Sequence, residues 1–186
     1  MFLTDVVDDR IVDLGAAVFR GYVIQRLSRD DPQRRLSPED LGGDSNELED
    51  DQIKDVVNQL LIISDNMNRN TELKHLVSSV QANCAQDVFF SVARDFLAED
   101  INGGRVVALL DLTYRLIYLA LTQNHFEVIM EVTSCFLQFI REHVCPWIRQ
   151  QGGWEAVFSC VSHWRTVSIA VAVTFIAVGV CWRYSC

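Results

Sequence analysis

Positive charge is scarce in this 186-residue chain, which holds 16 Lys and Arg against 25 Asp and Glu for a formal net charge of -9. No basic stripe can neutralise a run of phosphates, so nucleic acid is excluded as a partner. The acidity is also local. Nine acidic and three basic residues stand between Arg29 and Asp51, which marks one loop rather than a whole surface.

Catalytic and metal-binding patterns are missing as well. His75, His125, His143 and His163 are scattered, without HExxH or an i,i+4 pair, and such spacing does not close a metal site. Cys84, Cys135, Cys145, Cys160, Cys181 and Cys186 form no CxxC and no metal-like spacing with histidine. There is no phosphate loop, dinucleotide fingerprint or nucleophile elbow, and the Gly103-Gly104 pair is too short to imply a nucleotide site. The expectation is a protein that is not an enzyme and carries no metal or cofactor. No signal-peptide pattern opens the chain and no N-x-[ST] sequon occurs, which predicts a reducing cytosol with free thiols.

What the chain has is apolar material, 49% of its residues, ample for one domain with an appendage. The stretch from Asn102 to Leu121 is apolar on almost every face. A helix of that kind must be wrapped by others or lie in lipid. Asn102 is placed to cap it. Asp111 and Arg115, spaced i,i+4, can pair on one face, which is expected to be a solvated edge. After about four residues, Thr122 to His125, Phe126 to Val144 reads as another long apolar helix. The short connection makes the two antiparallel neighbours, each about 27 to 30 Å long and long enough to cross a bilayer core.

Around this hairpin the remaining elements follow in order. Residues 1–27 hold a first helix, over Asp8 to Leu27, with Ile11, Leu14, Ala17, Val18, Tyr22 and Ile24 on its apolar side. Residues 28–51 contain Pro32, Pro38, Gly42, Gly43 and the charge run, and predict a flexible acidic loop. Gln52 to Asn68 reads as a second helix in which Val56, Leu60, Ile63 and Met67 lie within about 60° of one another. Ser64 beside this stripe is small, and Asp65 lies off it. Either the stripe packs on its own domain or it is a ligand for a groove, for which such anchors are the expected signature.

After a short helix over Thr71 to Val80, Asn83 and Gln86 predict a capping box that opens a helix to Leu97. Phe89, Phe90, Val92, Ala93 and Phe96 supply its apolar face. Pro146 begins WIRQQGGWEAVF, in which Gly152 and Gly153 should end one short helix before Trp154 starts another. Trp147 and Trp154 fit the end of a groove or the edge of a core equally well. Residues 164–186 close the chain with an uncharged run from Val167 to Trp182, flanked by Arg165 and Arg183, with Trp164 and Trp182 at its ends. Val167, Ile169, Val173, Phe175, Ile176 and Val180 are its apolar positions, and the pattern is that of a C-terminal transmembrane anchor.

Four stretches taken together, IVDLGAAVFRGYVIQRL, LLIISDNMNRNTEL, NGGRVVALL and WIRQQGGW, followed by the apolar tail, resemble the Bcl-2 family of apoptosis regulators in that family's order over nearly the whole chain. The resemblance implies an all-α fold: a Bcl-2-like helical bundle of eight to nine helices around a central hydrophobic hairpin, with a tail-anchor helix. It further implies a helical core over 52–163, with a death-motif helix (52–68), the hairpin (102–144) and a groove-closing segment (147–158). Val56, Leu60, Ile63, Ser64, Asp65 and Met67 become the death motif. Asn102, Gly104, Arg105, Val106, Leu109, Trp147, Gly153 and Trp154 become the groove, with Arg105 placed to pair with an incoming Asp.

The chain departs from the family where Gly103 replaces a Trp, where Ser64 replaces the motif's Gly and Met67 a Leu, and where Asp111 replaces an aromatic residue; paired with Arg115, Asp111 makes either a solvated edge in the bundle, which is the expectation, or a pore lining in the membrane. The implied function is that of a pro-apoptotic effector, latent in the cytoplasm. On activation it inserts in the mitochondrial outer membrane, associates with itself helix into groove, and permeabilises the bilayer. Implied partners are further copies of the chain, other Bcl-2 family proteins, death-motif helices and mitochondrial membrane lipid. The alternatives are a pro-survival protein whose groove sequesters death-motif helices without making pores, and a tail-anchored helical adaptor whose stripe stays buried.

Overall fold

An apolar position every three or four residues recurs along most of the chain, and a computed structural model shows where those stripes become helices. It describes residues 2–67 and 80–159. The expected short helix over Thr71 to Val80 therefore lies almost wholly outside the described residues, as does the apolar tail. Seven α-helical segments and no strands occur among the described residues. The described residues divide into two compact units, 2–61 with 137–159, and 62–67 with 80–136.

In the first unit, α1 (Phe2–Asp30) extends beyond the expected Asp8 to Leu27 at both ends. Ala17, Val18, Phe19, Tyr22, Val23 and Leu27 are buried at helical spacing. The acidic segment after it is poor in apolar residues, yet it folds into two 3-10 turns, Glu39–Leu41 and Glu47–Glu49. Its organiser lies outside it. Arg20 on α1 donates from Nε to the Leu41 carbonyl (3.0 Å) and from Nη2 to that of Gly42 (3.2 Å), and its Nη1 meets Glu47 Oε2 at 2.9 Å. Leu41 is thereby seated in full burial. Within the loop, Asp40 Oδ2 accepts from both the backbone N–H and the hydroxyl of Ser37.

The second helix, α2 (Asp51–Met67), opens with the Asp50 carboxylate accepting from the Gln52 N–H at 2.8 Å. An acidic first turn also suits the positive end of the helix dipole. Later in the first unit a π-turn (Ile140–Val144) leads into α6 (Cys145–Gln150), which carries Pro146 in its first turn as expected. Gly152 and Gly153 then stop it at φ of 98° and 97°, a region that residues with a Cβ enter only with strain, and α7 (Trp154–Ser159) begins.

In the second unit, α3 (Ala85–Leu97) follows a 3-10 turn, Ala82–Cys84. The expected capping box does not form. The 3-10 turn carries the chain straight into α3, so Cys84 rather than Asn83 holds the cap position, without a side-chain bond. Gln86 instead donates to Cys135 Sγ at 3.6 Å. Phe89, Val92, Ala93 and Phe96 are buried as expected, but Phe90 is 48% exposed. One step of about 100° beyond Phe89 carries it off the buried face.

The central helix, α4 (Gly103–Thr122), buries fifteen of its twenty residues, as a core helix must. Asn102 caps it, its Oδ1 accepting from the Arg105 N–H at 3.0 Å. Gln123 to His125 turn the chain, with Asn124 at φ 58°, and α5 (Phe126–Phe139) follows. Two expectations about this region fail. Asp111 is fully buried, so its face is no solvated edge. No helix among the described residues is long and apolar enough to cross a membrane: α4 carries Arg105, Asp111 and Arg115, and α5 is 14 residues long.

Candidate functional site

The stripe on α2 is covered rather than displayed. Val56 and Leu60 in the first unit are 6% and 3% exposed, and Ile63 and Ser64 in the second are 2% and 0% exposed. The polar side of the helix, including Asp55, Asn58, Gln59 and Asp65, faces solvent. Ile62 also stands out, 44% exposed. The side chain of Met67, the fourth expected anchor, lies outside the described residues.

Within the second unit, Ser64 joins the C-terminal part of α2 to α4. Its hydroxyl donates to Asp111 Oδ1 on α4 at 3.3 Å, a buried bond between residues 47 positions apart. The other carboxylate oxygen of Asp111 accepts from Arg115 Nε at 2.8 Å. The i,i+4 pair expected from the sequence is therefore present. Its surroundings differ, since the carboxylate is enclosed and a third residue shares it.

Among the expected groove residues of the second unit, Gly104 and Leu109 are buried, Val106 is half-buried and Asn102 is exposed. Arg105 is 6% exposed, with its guanidinium paired to Glu99 and its Nη1 donating to the Asp100 carbonyl at 3.3 Å. A carboxylate arriving from another helix thus has a resident competitor. Glu99 was not singled out from sequence, because nothing in an acidic residue before a helix start says which cation it will meet. The same unit presents Phe90 and Leu97 on α3, 48% and 45% exposed and seven residues apart, hence on one side of the helix.

In the first unit, Trp154 is buried. Its indole Nε1 donates to the Ile11 carbonyl at 3.1 Å, and its ring lies against Gly15, where an added Cβ would sit 3.0 Å from Cζ2. It fastens α7 to α1. Trp147 is half-buried on α6, and Gly153 forms the positive-φ turn before Trp154. The anchor positions Val167, Ile169, Val173, Phe175, Ile176 and Val180 lie outside the described residues.

A family model described as apoptosis regulator proteins of the Bcl-2 family matches residues 41–154. The human apoptosis regulator BAX is 30% identical over 184 residues, covering 94% of this chain and 90% of its own. The human Bcl-2 homologous antagonist/killer is 34% identical over 108 residues, 54% of this chain and 50% of that protein. A crystal structure of chicken BOK shares the fold with a TM-score of 0.67, covering 82% of this chain and 98% of that one at 19% identity.

Proposed function

The chain belongs to the Bcl-2 family of apoptosis regulators, and from that premise we propose that it is a Bax-like pro-apoptotic effector held latent until its death-motif helix is released. In this reading it inserts residues 164–186 in the mitochondrial outer membrane, exposes α2 and seats that helix in the groove of a second copy. The growing oligomer then permeabilises the bilayer. Because α4 carries three charged side chains, the core helices act on lipid through amphipathic faces rather than as apolar spans.

The observation that carries the reading is the burial of Val56, Leu60 and Ile63 along one side of α2. A motif that is covered at rest is silent, and uncovering it has a calculable cost. At about 1.5 to 3 kcal/mol for each side chain, baring three anchors costs roughly 5 to 9 kcal/mol. Spontaneous release is rare on that scale, and a neighbouring groove that rebinds the same side chains recovers most of it. Asp65, already exposed at rest, offers its carboxylate to Arg105 of the receiving copy in place of Glu99. Other Bcl-2 family proteins and their death-motif helices are partners through the same groove.

Dye release from liposomes of mitochondrial-like composition tests this, with purified full chain and a death-motif peptide as trigger. Peptide-dependent release that disappears with Asp65→Arg supports the effector. Asp65→Arg and Arg105→Asp should each abolish oligomers and partly restore them when combined; loss without rescue argues against that contact. The buried bond between Ser64 and Asp111 favours a second reading, because it helps to retain α2. A groove protein that sequesters death-motif helices would release no dye and would protect the liposomes against an effector.

A further inference from the structure

Burying a carboxylate is costly unless its oxygens are supplied with donors. Asp111 has no exposed surface, and it receives Arg115 on Oδ2 and Ser64 on Oδ1. Arg115 belongs to the same helix and stays with Asp111 whatever α2 does. Ser64 does not, and when α2 leaves, Oδ1 loses that donor. The side chain of Arg115 is 13% exposed against 1% for Asp111, so the pair reaches solvent only on the arginine side.

We propose that Ser64, Asp111 and Arg115 form a latch that sets the threshold for releasing the C-terminal half of the death-motif helix. Arg115 keeps Asp111 aimed, and Asp111 holds Ser64. Apolar anchors resist release in proportion to the area they uncover. The latch adds a directional contact that is lost over a few tenths of an ångström, so release becomes more nearly all-or-none. A hydrogen bond to a charged group is worth a factor of about ten to a hundred in an equilibrium. The functional half of this inference rests on the effector reading above; the structural half does not.

Hydrogen exchange on the full-length protein separates the two. Amides 62–66 are followed in the parent, in Ser64→Ala, in Asp111→Leu and in the double variant, with amides 108–120 of α4 as the internal reference. Ser64→Ala is small and conservative, so it keeps the test valid if Asp111→Leu folds poorly. The expected result is exchange at 62–66 about ten times faster in Ser64→Ala, with the α4 reference unchanged and no further acceleration in the double variant. Exchange at 62–66 within about twofold of the parent in Ser64→Ala, or effects of the two substitutions that simply add, overturns the latch. Peptide-triggered dye release is measured on the same proteins. If the latch governs activation, half-maximal release in Ser64→Ala needs about ten times less peptide. Accelerated exchange with no release from any protein, parent included, leaves the latch standing and removes the effector reading. Accelerated exchange with release at an unchanged peptide concentration overturns the claim that the latch sets the threshold.

Discussion

Arg20→Met should free the acidic loop from α1 while leaving the helix intact. The methionine keeps the aliphatic stem and deletes three donated hydrogen bonds, to Leu41, Gly42 and Glu47. Arg20 and Glu47 are 11% and 16% exposed at their side chains, so solvent screens the pair only in part. A hydrogen bond to a charged group contributes about 1.5 to 3 kcal/mol. The three share one guanidinium and do not add, and the truncation also strands a half-buried Glu47. A total near 3 kcal/mol is the working figure, which at about 2 to 4 °C per kcal/mol for a chain of this size lowers Tm by roughly 6 to 12 °C. Because a loop can detach before the core unfolds, limited proteolysis across residues 31–50 accompanies the melting curve and should show faster cleavage there. Glu47→Gln, which removes charge but retains an acceptor, should produce a smaller change in both. A variant melting within about 2 °C of the parent with unchanged cleavage would refute the idea that Arg20 organises the loop.

Three further outcomes are expected. Gly21→Ala places a Cβ 2.9 Å from Val57 Cγ2 and 3.1 Å from Leu48 Cδ2, and overpacking of this kind should cost about 1 to 3 kcal/mol in denaturant unfolding. Trp154→Phe loses the bond to the Ile11 carbonyl and the indole Cζ2 beside Gly15, a loss of about 1 kcal/mol or more that the same measurement reads. The Glu127 carboxyl is held below its ordinary value of 4.5, chiefly by a hydrogen bond from its own backbone and then by the His125 side chain. A depressed carboxylate contributes stability that is present above the ordinary value and fades as the pH falls through the folded one. In an NMR titration His125→Ala should therefore raise the Glu127 midpoint without returning it fully to 4.5.

The parts of the fold that could be read from sequence are those in which cause and effect lie within a turn or two. The Asn102 cap, the Gly152-Gly153 stop, the Asp111–Arg115 pair and the α2 stripe all involve neighbours three to seven positions apart, where helix geometry alone decides who meets whom. The same local reasoning failed at Asn83, because a 3-10 turn had already carried the chain past the cap position, and at Phe90, because an aromatic residue is not buried by composition alone. Long-range partners were invisible. Nothing near Ser64 announces an acceptor 47 residues on, and nothing near Arg20 announces two carbonyls and a carboxylate 21 to 27 residues away. Burial of Asp111 was missed for the same reason, since an i,i+4 ion pair reads identically on a wet face and under another helix. Arg105 stood out in the sequence at a helix start, while its partner Glu99 came only from the fold.

The bond from Trp154 to Ile11 joins residues 143 positions apart. On a ribosome adding about 5 to 20 residues per second, that interval is roughly 7 to 29 s, during which α1 exists without this clasp. Arg20 waits far less, since Glu47 follows it by 27 positions, an interval of roughly 1 to 5 s. The acidic loop therefore reaches α1 first and brings Leu41 with it, giving the nascent helix a local cover before its distant partners exist. In the finished protein the loop is a surface connection; during synthesis it is a provisional partner that shields the apolar side of α1 from solvent until the rest of the chain arrives.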